Sequence, residues 1–187
     1  MGRSYSSMHI LSMTSDMSDS EMLALYREYK PSVLMNACVI QKEGITSIYD
    51  RSIGFDIIEE KAQIVSREFM ATVFYASVFD DSVFVFGLCA NGNTLSRHIS
   101  GDDIDEYGLS DEQMSFNTLQ MLMPNCSKEQ IAKLMELQGE EFETALQNNV
   151  SFYLNTPSSG ETNIDVDMNA LIRVGKAVAD LLSIRCR

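Results

Sequence analysis

The chain of 187 residues has no tryptophan, only three prolines and two histidines, and 14 Lys and Arg against 27 Asp and Glu. The shortage of base leaves a formal net charge of −13. That balance argues against nucleic acid as a partner, because neutralising phosphate needs clustered Lys and Arg. No apolar run approaches the roughly 18–20 residues of a membrane helix, and the opening MGRSYSSMHILSM is too weakly apolar for a signal peptide. Cys38, Cys89, Cys126 and Cys186 lie far apart with no C-x-x-C spacing, so they read as reduced thiols rather than as a zinc site or redox pair. There is also no P-loop and no G-x-S-x-G elbow. The expectation is a cytoplasmic protein with no membrane association.

What is present is organised around residues 71–100, ATVFYASVFDDSVFVFGLCANGNTLSRHIS. Three β-prone runs are separated by Asp80-Asp81 and Asn91-Gly92, which predicts an antiparallel meander; Asn-Gly between alternating strands is a strong hairpin signal. If both turns hold two residues, Phe84 lies opposite Ser77 and Ile99, Phe86 opposite Tyr75 and Arg97, and Leu88 opposite Val73 and Leu95. This face would carry the main core. The other would carry Phe74, Ala76, Val78, Val83, Val85 and Cys89, ending in Thr94, Ser96, His98 and Ser100 on a polar third strand at the sheet edge. A longer loop at Asp80-Asp81, which lacks the glycine that tight primed turns prefer, would swap the faces of the first strand.

Upstream, residues 1–17 read as a disordered leader, with Met8, Met13 and Met17 as alternative starts. Residues 18–30 begin with a capping box, Ser18 to Glu21, and carry an apolar stripe that Pro31 ends. Strands are expected at 33–40 and 45–49, and a helix over 57–69. Downstream, residues 110–154 read as a helical subdomain, with capping-box matches at Ser110 and Gln113 and at Ser127 and Gln130. Residues 155–163 read as a polar linker and 164–187 as a terminal helix whose Arg185 and Arg187 suit its C-terminal dipole. The predicted fold class is α+β: an antiparallel sheet of about five strands with a central meander, flanking helices and a helix-rich C-terminal third, forming a single domain over 18–187.

Within residues 119–149, Leu122-Met123-Pro124, Ile131, Leu134, Gly139 and Ala145-Leu146 resemble a CUE or UBA-type three-helix unit. The resemblance implies a compact bundle that binds ubiquitin or a peptide through the Met-Phe-Pro-like turn and a terminal di-leucine. That di-leucine position reads Asn148-Asn149 here.

Two constellations carry candidate chemistry. The chain leaving the third strand should return beside the Asp80-Asp81 turn, gathering Asp80, Asp81, His98 and Asp102 into a carboxylate-rich set suited to a divalent cation such as Mg or Ca. A metal-dependent hydrolase is the alternative built on it. His98 beside Ser96 or Ser100 would be the general base of a Ser/His arrangement. Against both stands a simpler reading of residues 101–112, GDDIDEYGLSDE, which hold six carboxylates and no base. Asp102, Asp103, Asp105 and Glu106, with Ser96 and His98 on the polar strand, then form a contact surface for a basic protein. The leading expectation is a non-enzymatic, acidic interaction module without cofactor, comparable to inhibitor or immunity proteins.

Overall fold

The computed structural model describes residues 2–12, 37–42, 45–50 and 53–155. Among the described residues, six strands form one antiparallel sheet: β1 (Tyr5–Ser12), β2 (Ala37–Lys42), β3 (Ile45–Asp50), β4 (Thr72–Phe79), β5 (Val83–Ala90) and β6 (Asn93–Gly101), in the order β2-β3-β1-β4-β5-β6. Helix α1 (Ile58–Glu68) covers one face, and α2 (Phe116–Leu122), α3 (Lys128–Met135) and α4 (Gly139–Gln147) cover the other. The α+β architecture with its meander is as the sequence predicts. The expected helices at 18–30 and 164–187 lie outside the described residues, as does the linker beyond Asn155.

The largest departure is at the N-terminus. Tyr5–Ser12 is no leader but an interior strand, paired with β3 on one side and β4 on the other. Its polar residues disguise it. Ser6, Ser7 and His9 are buried, and each is satisfied inside the protein. Ser6 Oγ donates to Ile53 O at 2.6 Å, Ser7 Oγ donates to Leu154 O at 2.6 Å, and His9 bonds Ser47 and Ser7. Buried hydroxyls with partners carry little penalty, so a weakly apolar octapeptide can occupy the middle of a sheet.

The second departure is the meander register. Phe79 pairs with Val83, so three residues, not two, form the first loop. Asp80 and Asp81 are both left-handed, with φ of 51° and 55°, and Ser82 N–H closes onto Phe79 O. Short polar side chains tolerate this conformation, and the N-terminal segment holds it: Arg3 N–H donates to Asp81 Oδ2, Asp80 N–H to Ser4 Oγ, and Asp81 N–H to Arg3 O. The extra residue moves every pair by one. Phe84, Phe86 and Leu88 now face the helical layer beside Val78, Ala76 and Phe74, with Ser100, His98 and Ser96 across β6. Asn91-Gly92 forms the expected two-residue turn, both residues at positive φ, and a bulge between Leu88 and Cys89 brings β6 into the same shifted register.

The helices start where local chemistry allows. Ser127 and Gln130 form a full capping box at the head of α3. Ser110 and Gln113 do not cap a helix; Glu112 exchanges two backbone bonds with Ile99, extending the edge of β6, and α2 starts instead at the cap Ser115.

Candidate binding surface

At one end of the sheet the 80–82 loop meets the chain leaving β6. Asp102 N–H donates to Ser82 O at 3.1 Å, so the predicted return geometry is present. A single 3-10 turn, Ile104–Tyr107, follows. Ile104 is buried against the α1 side of the sheet, and that anchor turns Tyr107 outward onto two other rings. Phe55, Phe79 and Tyr107 meet with centroids 5.2–5.8 Å apart, the Tyr107 ring edge-on to both phenylalanines. Phe79 is 39% exposed and Tyr107 45%. The loops that carry these rings also carry exposed Asp56, Asp80, Asp81, Asp102, Asp103, Asp105 and Glu106. Asp81 is occupied: the Arg3 backbone N–H, and after it the guanidinium at 2.8 Å, hold its carboxyl below the usual carboxylate range. Among the described residues no basic side chain forms an ion pair with the other six.

His98 is not part of that end. It is buried at 1% exposure, its ring stacked on Phe142 with centroids 3.7 Å apart, and its Nε2 is 3.0 Å from Ser100 Oγ. The metal set Asp80, Asp81, His98 and Asp102 is therefore not assembled: the shifted register aims His98 into the helical layer, while Asp80 and Asp81 engage Gly2 and Arg3. Among the described residues no three His, Cys, Asp or Glu side chains gather in a way that could hold a metal ion. The contact surface is corrected in the same way. His98 cannot reach a partner, and Ser96 Oγ accepts from Ser115 N–H at 2.8 Å. Asp102, Asp103, Asp105 and Glu106 remain exposed.

The Ser/His pairing exists as a contact but is sealed. Ser100 is fully buried, its Oγ accepts from Gly139 N–H at 2.9 Å, and Phe142 lies over the imidazole. No substrate carbonyl could approach Oγ. Burial lowers His98 to about 4 and raises the Cys89 thiol to about 11, so neither is set for base or nucleophile work near neutrality.

Arg97 faces α1. Its guanidinium bridges Glu59 at 3.0 Å and Glu112 at 2.6 Å, while Thr94 donates to Glu59 at 2.6 Å and Gln63 donates to Thr94 at 3.0 Å. This network ties helix to sheet edge. Tyr107 and Phe55 were the residues sequence reasoning missed. Tyr107 stands alone as a ring within the acidic run, and that was the available signal. No family model matches the chain, and no curated protein or solved structure is significantly similar to it.

Proposed function

We propose that the protein is a non-enzymatic interaction module whose acidic, aromatic end binds a basic partner through exposed arginine side chains. One observation carries this reading: three packed rings, two of them well exposed, stand in loops with seven exposed carboxylates, of which only Asp81 pairs with a basic side chain among the described residues. Binding surfaces concentrate affinity in a few aromatic anchors within a polar rim, and Phe79 and Tyr107 have that placement. A guanidinium suits both parts, stacking on a ring face while its N–H fork meets a carboxylate. The net charge of −13 would steer such a partner from a distance. Occlusion of a basic partner, in the manner of an inhibitor or immunity protein, is the biological role this fits.

The test is calorimetric, with a short oligoarginine peptide and an oligolysine peptide of equal length. The full chain should bind oligoarginine more tightly, and both affinities should fall as salt rises, because exposed charges are screened over about 8 Å at physiological ionic strength. Phe79→Ser with Tyr107→Ser should remove the preference for arginine. Asp102, Asp103 and Asp105 changed to Asn should weaken both peptides. Binding that is absent at low salt, or unchanged by both sets of substitutions, refutes the proposal.

A further inference from the structure

Both histidines of the chain lie on the sheet face covered by α2, α3 and α4, and each is stacked on a phenylalanine from that layer. His98, on β6, stacks on Phe142 of α4 with an interplanar angle of 5°. His9, on β1, stacks on Phe152, just beyond α4, with centroids 4.2 Å apart. Both imidazoles are at most 1% exposed. The opposite face, under α1, holds neither. We infer that the two histidines form an acid-sensitive latch, holding the helical layer on the sheet while neutral and releasing it when they take up protons.

The hydrogen bonds specify neutral rings. Ser7 Oγ gives its proton to Leu154 O, so it accepts from His9 Nε2–H, 3.0 Å away. His9 Nδ1 is then the acceptor for the Ser47 hydroxyl at 2.9 Å. At His98, Nε2 meets Ser100 Oγ, and Nδ1 has no partner among the described residues. A second proton makes both ring nitrogens donors, which at His98 leaves a buried N–H without an acceptor and at His9 reverses the Ser47 bond. Ser7 and Ser100 also bond the layer directly, at Leu154 O and Gly139 N, so the polar contacts and the stacks share one seam.

The carboxylates that flank Phe142 on α4 closest to Arg3 are engaged there. On α4, Glu143 accepts from Tyr5 Oη at 2.7 Å and pairs with Arg3 at 3.2 Å, and Glu140 also pairs with Arg3. Around His9 the described neighbours are Ser7, Ser47, Tyr49, Phe74 and Phe152; Tyr49 is the titratable one, and its hydroxyl donates to Tyr153 O. Those in ring or hydrogen-bond contact with His98 are Phe86, Ser100 and Phe142, none of which titrates. Burial is the cause of both downward shifts, to about 3 for His9 and about 4 for His98. A folded value below the free value of about 6.5 means that docking is favoured above that pH and lost as pH falls toward 4. At about pH 5 each imidazole should raise the undocking equilibrium about 30-fold, and the two together about 1,000-fold.

Hydrogen exchange on the full chain tests the latch at about pH 7.5 and 5, corrected for intrinsic exchange rates. Exchange in 116–147 should rise by about 1,000-fold at the lower pH, while α1, at 58–68, stays protected. His98→Phe keeps a ring on Phe142 and removes the titration, and its layer should lose about 30-fold of the response. If that variant does not fold, the wild-type pattern decides alone. Exchange that is unchanged by pH, that accelerates equally in α1, or that responds equally in folded His98→Phe overturns the inference.

Discussion

Gly87→Ala is the smallest change that tests the register. Gly87 pairs with Tyr75 on β4 and Arg97 on β6, on the α1 side. Its missing side chain makes room for the Tyr75 ring: a methyl there would run into Cζ and Oη and lie 2.6 Å from Cε1. Tyr75 is fully buried, so the ring cannot swing into solvent. Overpacking of this kind costs about 1–3 kcal/mol, and relief of glycine's unfolded-state entropy offsets about 0.4–1 kcal/mol. The net expectation is a loss of about 1 kcal/mol. Tyr75→Leu removes the clashing atoms and should itself cost about 2–4 kcal/mol. In that background Gly87→Ala should stabilise by about 0.4–1 kcal/mol, a coupling of about 2 kcal/mol. Urea unfolding followed by far-UV circular dichroism measures each variant, since the chain has no tryptophan to report by fluorescence. Tyr75→Phe adds a further control: the Tyr75 hydroxyl is buried without a partner among the described residues, so its removal should be neutral or slightly stabilising. Equal costs for Gly87→Ala in the two backgrounds would refute the pairing of Tyr75 with Gly87.

Other expectations follow from the same geometry. A chain lacking residues 1–12 should not fold, because β1 is interior and its loss separates β3 from β4; a cooperative thermal transition in that truncation would contradict the sheet order. Phe86→Ala should lose about 3–5 kcal/mol, since the residue is fully buried against Phe142, whereas Ser96→Ala should lose about 1 kcal/mol with its bond to Ser115 N–H. Denaturant midpoints that fall equally would disprove this assignment of the core. Ser127→Ala removes the cap of α3 and should cost about 1 kcal/mol, read as a lower melting temperature.

Much of this architecture is legible from local chemistry. Asn91-Gly92 announces its turn because few other pairs accept two left-handed residues. The stripe at Ile58, Ala62, Val65 and Phe69 announces α1, and Ser127 with Gln130 announces α3. What escaped depends on partners distant in sequence. Ser6, Ser7 and His9 look like solvent-facing residues until Ile53, Ser47 and Leu154 are known to meet them. The Asp80-Asp81 loop gains its third residue under contacts from Arg3 and Ser4, some 76–78 positions away. That one-residue shift moved His98 from the acidic end into the core, and with it the predicted metal set. Asp102, Asp103, Asp105 and Glu106 are exposed in either register because they sit beyond the strand.

The proposed docking site for a basic partner is the Phe55, Phe79 and Tyr107 knob with the exposed carboxylates of the same loops. Amide chemical-shift mapping during titration with the oligoarginine peptide tests it most directly, because it locates binding without presupposing the site. Perturbations concentrated at 55–56, 79–82 and 102–111 are the expected result. Perturbations centred elsewhere, or a diffuse response following every exposed carboxylate including Glu129 and Glu136 of the helical layer, would contradict it.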